Sequence, residues 1–175
     1  TILNPNDAGQ HPMLPSIVIS DITDDVGSEI LVPQPPATDN GDAQLWLFTD
    51  DGDYADGWSS AYTLEGGGEI DATPAVGDID GDGSLEIVAV TWEDPSDFGN
   101  NEITHVWAID SDATLEWETE YDTSSSGGGG DNDEHAISSP ILAVIYNDDG
   151  ENNLDVFTCT TPDCYALDGN DGSDG

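Results

Sequence analysis

Nine residues in the middle of the chain, DIDGDGSLE at 78–86, place Asp78, Asp80 and Asp82 at alternate positions, follow them with Gly83 and close on Glu86. Alternating carboxylates on a tight loop are the donor set of a hard cation. Calcium takes about six to eight oxygens at ~2.3–2.6 Å, and side chains at positions 1, 3 and 5, a backbone carbonyl at 7 and a carboxylate at 9 can supply them. Gly83 is expected to take a positive φ where the chain reverses around the ion. Magnesium fits less well because it holds a tighter octahedron and keeps its waters. A transition metal would want His or Cys, and the loop has neither. The competing reading is a solvated Asp-Gly turn, which arises readily by chance in an acidic chain. Recurrence weighs against chance: Asp21, Thr23, Asp25 and Glu29 hold the same positions in DITDDVGSE, and Asn147, Asp149, Glu151 and Asp155 hold them in NDDGENNLD.

The whole chain shares this acidity. Its 175 residues contain no Lys or Arg and 39 Asp and Glu, a net charge of -39. Nucleic-acid binding rests on basic side chains neutralising phosphates, and binding to anionic lipid rests on polybasic segments, so both partners are excluded. Cations are the natural partner, with salt-screened, halophile-like solubility as the plain alternative. The hydrophobic content of 35% suffices for a modest core. No apolar run approaches the ~18 residues of a membrane span, and the chain opens at Thr1 without a signal-like segment, which reads as a mature or excised piece. Cys159 and Cys164 are separated by TTPD. That spacing fits neither a zinc knuckle nor a redox pair, leaving a local disulfide or two buried thiols; the disulfide implies an oxidising compartment.

The elements that must carry the loops are short strands. Each acidic loop is preceded by an apolar run containing proline (LPSIVIS, TPAVG, SSPILAVIY) and followed by another (ILV, IVAV, VFTC). Aromatic-centred strands come next: LWLFTDD, HVWAIDSD and CYALDGN, with Trp46, Trp107 and Tyr165 in register. The first two units add a fourth strand near WSSAY and TLEWETE. No segment shows a sustained helical period. The expected fold is therefore all-β, built of four-stranded antiparallel β-propeller blades, two complete and one partial, with the cation loops between first and second strands. The expected divisions are an N-terminal segment 1–14, blade 1 at 15–64, blade 2 at 65–123, a Gly/Ser linker at 124–136 and a partial blade 3 at 137–175.

On these loops and strands the chain resembles the FG-GAP or VCBS repeats of integrin-alpha-type propellers. By position, the resemblance implies as calcium ligands Asp78, Asp80, Asp82, the Ser84 carbonyl and Glu86; Asp21, Thr23, Asp25, the Gly27 carbonyl and Glu29; and Asn147, Asp149, Glu151, the Asn153 carbonyl and Asp155. Val26 stands where the repeat prefers glycine, which predicts a distorted first loop, whereas Asn152 in the third is compatible. The implied protein is a non-enzymatic, extracellular or cell-surface calcium-binding propeller segment serving structure, adhesion or ligand display. Its expected partners are calcium, other copies in a surface fibre or the remainder of a longer propeller, and glycans. The alternative is the propeller scaffold of a polysaccharide lyase or quinone-dependent dehydrogenase, disfavoured because such sites use the cationic side chains this chain lacks.

Other candidates carry less. His11, His105 and His135 are far apart in sequence and read as structural or exposed, and no serine has a nucleophile-elbow context. Trp46, Trp107 and Trp117 read as core, while Asp51, Asp53 and Asp56, and Asp168, Asp171 and Asp174, read as hairpin turns.

Overall fold

Apolar residues alternating with polar ones, punctuated by Asp, Asn and Gly, dictate strand and turn throughout, and the computed structural model contains strands and no helix among the residues it describes. These are residues 15–23, 26–37, 41–93, 103–122, 138–145, 153–160 and 163–174. The first sheet comprises β1 (Val18–Ser20), β2 (Glu29–Gln34), β3 (Gln44–Phe48) and β4 (Tyr62–Thr63). The central sheet comprises β5 (Ala75–Gly77), β6 (Glu86–Glu93), β7 (Ile103–Asp110) and β8 (Leu115–Asp122). β9 (Ile141–Ala143), β10 (Asp155–Cys159) and β11 (Cys164–Leu167) form the third. Each sheet is a simple antiparallel meander in chain order.

The expected β-propeller is not what these strands build. They form three separate, unclosed antiparallel sheets of four, four and three strands, with no ring of blades. The physical reason is that alternation and turn chemistry specify hairpins, and a four-stranded meander is common to several all-β architectures. Closure into a ring depends on how sheets pack, which the local pattern does not encode.

Packing explains the apolar runs of the central sheet. One of its faces, with Ile87, Ala89, Trp107 and Ile109, joins Leu31, Leu45, Leu47, Leu64 and Ile70 in one core cluster. The other, with Val88, Val90, Val106, Ala108 and Trp117, joins Ile79, Val156 and Leu167 in a second. A strand covered on both faces loses its alternation, and β6 is accordingly buried without interruption from Glu86 to Thr91. Burying each such Val, Leu or Ile side chain contributes about 1.5–3 kcal/mol relative to exposure.

Two matching joints link the sheets. The Trp58 indole donates to the Ser111 carbonyl at 2.8 Å, and the Trp117 indole donates to the Gly169 carbonyl at 2.7 Å. Each acceptor follows an aspartate at the end of a third strand: Asp110 is the last residue of β7, and Asp168 directly follows β11. Beside the first joint only glycine fits: Gly57 has φ +84°, and a Cβ there would lie 2.6 Å from the Asp112 Cα. Across the third sheet's hairpin, Cys159 pairs with Cys164 in register and the two form a disulfide.

Candidate cation site

The loop 78–85 joins β5 to β6, whose register sets Gly77 opposite Glu86 and so closes the loop on itself. Three short side-chain-to-backbone bonds shape it. The Gly81 N–H donates to Asp78 Oδ1 at 2.8 Å, Asp82 N–H to Asp80 Oδ1 at 2.9 Å, and Ser84 N–H to Asp82 Oδ1 at 2.7 Å. Each aspartate thus spends one oxygen on the turn, the ordinary habit of Asp in such loops. Gly83 takes φ +99°, as its position demands, and Gly81 takes +79°.

Glu86 is fully buried at the loop's base. Its Oε2 accepts the Ile79 N–H at 2.7 Å, while its Oε1 has no hydrogen-bond partner. Oxygens of Asp78, Asp80 and Glu86 all lie within 4.8 Å of one another. Two oxygens sharing one calcium-sized ion at ~2.3–2.6 Å are separated by at most about 5 Å, so this spread suits a single hard cation. Burial pushes the Glu86 carboxyl up to about 7 against the pull of the Ile79 N–H, with the charges of Glu116, Asp80 and Asp78 adding to the rise. Glu116 is also raised to about 7, by burial and then by Asp80, Asp110 and Asp82. Carboxyls crowded so closely hold protons because nothing positive faces them.

Of the residues expected from sequence, the structure gathers Asp78, Asp80 and Glu86; Asp82 lies in the same loop but outside the three-carboxylate group, and Ser84 lies in the loop as well. In the first loop the buried Glu29 repeats part of the pattern, its Oε2 accepting the Ile22 and Thr23 N–H groups at 2.6 and 3.0 Å. Val26 is fully exposed and the reversal falls one residue later, at Gly27 with φ +139°. Of this loop's expected ligands, Asp25 lies outside the described residues, and Asp21, Thr23, Gly27 and Glu29 lie within them. In the third loop Asn147, Asp149 and Glu151 also lie outside the described residues. The buried Asp155 there accepts the Ile145 N–H, and Asn153 donates to Asn170 at 3.1 Å.

Glu116 was not legible as part of the site. The β7–β8 register sets Ala108 opposite Trp117 but Ile109 opposite Leu115, so Glu116 is the extra residue of a bulge. Bulges re-aim side chains, and this one brings Glu116 under the influence of Asp80 and Asp82. The acid-rich TLEWETE was visible in the sequence, but no spacing rule announces a bulge.

No family model, no curated protein sequence and no solved structure matches the chain. The resemblance to FG-GAP or VCBS repeats is therefore corrected: acid-rich loops between short strands recur easily in a chain with 39 acidic residues. The functions drawn from it fall as well, both the extracellular calcium-binding propeller segment for adhesion, ligand display or fibre assembly and the enzyme-scaffold alternative, since the described strands form separate open sheets and not the propeller they require. Among the described residues no helix is long and apolar enough to cross a membrane.

Proposed function

We propose that the protein is a cation-dependent all-β module in which Asp78, Asp80 and Glu86 bind one hard divalent cation that locks the β5–β6 loop. The observation that carries this reading is Glu86 Oε1, a fully buried carboxylate oxygen without a hydrogen bond, beside two aspartates. Leaving such a group unsatisfied costs about 1–3 kcal/mol, more when it is charged. A cation removes that cost and the mutual repulsion together. The role is structural and not catalytic, and the Cys159–Cys164 disulfide supports residence in an oxidising compartment outside the cytosol.

Calorimetric titration with CaCl2 at constant ionic strength tests the assignment. Wild-type protein is expected to bind with a dissociation constant of about 10⁻⁴–10⁻³ M, the range of weak calcium modules. Asp80→Asn is expected to weaken that binding at least tenfold, and equal isotherms for the two proteins would refute the site.

A further inference from the structure

Among the described residues, one other buried side-chain polar atom lacks a hydrogen-bond partner: His105 Nε2. His105 is 3% exposed and sits on β7 between Thr91 of β6 and Glu120 of β8, its ring stacked on Trp107 at a centroid separation of 5.6 Å. Nδ1 lies 2.8 Å from Glu118 Oε1 and 3.9 Å from Glu120 Oε1, and Nε2 lies 3.8 Å from Glu93 Oε1. The charged groups nearest both ring nitrogens are thus all carboxylates.

A neutral imidazole has one donor and one acceptor nitrogen. If Nδ1 carries the proton and donates to Glu118, the Nε2 lone pair faces Glu93 with no donor. If Nε2 carries it, the Nδ1 lone pair meets Glu118 at 2.8 Å. Either tautomer sets one nitrogen lone pair against an acceptor. Two arrangements relieve this conflict: a proton on each ring nitrogen, or a metal ion on Nδ1 with the proton on Nε2, which lies 3.8 Å from Glu93 Oε1. A ligating histidine usually donates its second nitrogen to an outer carboxylate, and Glu93 stands on that side of the ring at 3.8 Å, too far for a hydrogen bond in this conformation.

We propose that His105 Nδ1, Glu118 and Glu120 form a binding site for a borderline divalent transition metal of the zinc class. The three donor groups lie within 4.8 Å of one another. Tetrahedral ligands at ~2.0–2.1 Å from zinc are spaced about 3.3 Å apart, and the 2.8 and 3.9 Å separations at Nδ1 bracket that value. Imidazole nitrogen with carboxylate oxygen selects this class over calcium, which prefers oxygen alone. The Glu118 and Glu120 side chains are 27% and 64% exposed, which provides an entry path and room for a water as fourth ligand. Sequence spacing hid the group because His105 comes from β7 and Glu118 and Glu120 from β8, and they meet only through the register. It shares no residue with the Asp78–Glu86 loop and stands or falls separately.

The test is nitrogen NMR of the histidine imidazoles in the full chain, kept in excess CaCl2, as one equivalent of ZnCl2 is added. His105 Nδ1 is expected to move to the metal-coordinated position while Nε2 stays protonated. Zinc affinity by competition with a chelating dye is expected to fall at least tenfold in Glu120→Gln, a surface change that leaves the core intact. Asp80→Asn should leave it unchanged, since Asp80 belongs to the other group. Zinc that shifts only His11 or His135, His105 signals that respond to protons but not to zinc, or equal affinity in Glu120→Gln would each overturn the proposal.

Discussion

Glu86 shows how one side chain sets a pH dependence. Its ordinary carboxyl value is 4.5 and its folded value is about 7. Below about 4.5 the group is protonated in both states and the fold bears no charge penalty. As pH rises from there to about 7 the unfolded chain releases the proton while the ion-free native state retains it, so stability declines across that window. Glu116 adds a decline of the same sign. Urea unfolding in chelator should therefore show stability falling between pH 4.5 and 7.5, with a shallower slope in Glu86→Gln, whose amide oxygen still accepts from Ile79. A profile that rises through this window would contradict the assigned burial. The sequence disclosed Glu86 through its place at the loop's end. It did not disclose that one oxygen would be buried without a partner, because burial is set by tertiary packing and not by the loop's spacing.

At the scale of elements, joints and turns decide more than propensity. Trp117→Phe keeps most of the buried ring but removes the donor to the Gly169 carbonyl, and should cost about 0.5–1.5 kcal/mol for the bond, more if the carbonyl is left unsatisfied. Trp58→Phe should behave alike through Ser111. Thermal unfolding of both checks whether the two joints are equivalent; a change within error in both would show that they contribute nothing. In the β7–β8 turn Ala113 holds φ +69°, a left-handed conformation that costs an L-residue about 1–2 kcal/mol. Ala113→Gly relieves that strain at some entropic cost, so a net gain of about 0.5–1 kcal/mol is expected, and a lowered melting temperature would count against it. Strands and hairpins were readable because alternation and Asp-Gly turns act locally. Trp107 and Trp117 are buried as their strand positions suggested, but Trp46 is only half-buried. The bulge at Glu116 and the indole joints were not readable, since each depends on a partner more than fifty residues away or on a register slip.

For the whole molecule, the described strands form three separate sheets that do not close, where the repeats suggested propeller blades. The cores explain why the chain nonetheless holds together: the central sheet supplies an apolar face to each neighbour. Against that cohesion stands a net charge of -39 with no Lys or Arg to offset it. Raising NaCl from about 0.01 to 1 M shortens the screening length from ~30 to ~3 Å, so the melting temperature should climb steadily with salt. A salt-independent melting point would mean that repulsion is already relieved by bound cations. The central claim, that the Asp78–Glu86 loop is completed by a hard cation, is tested most directly by urea unfolding at pH 8 with and without 10 mM CaCl2 at matched ionic strength, in wild type and Glu86→Gln. With a dissociation constant of about 10⁻⁴–10⁻³ M, calcium should add about 1.4–2.7 kcal/mol to the wild type and close to nothing to the variant. Equal stabilisation of the two proteins, or none of the wild type, would contradict it.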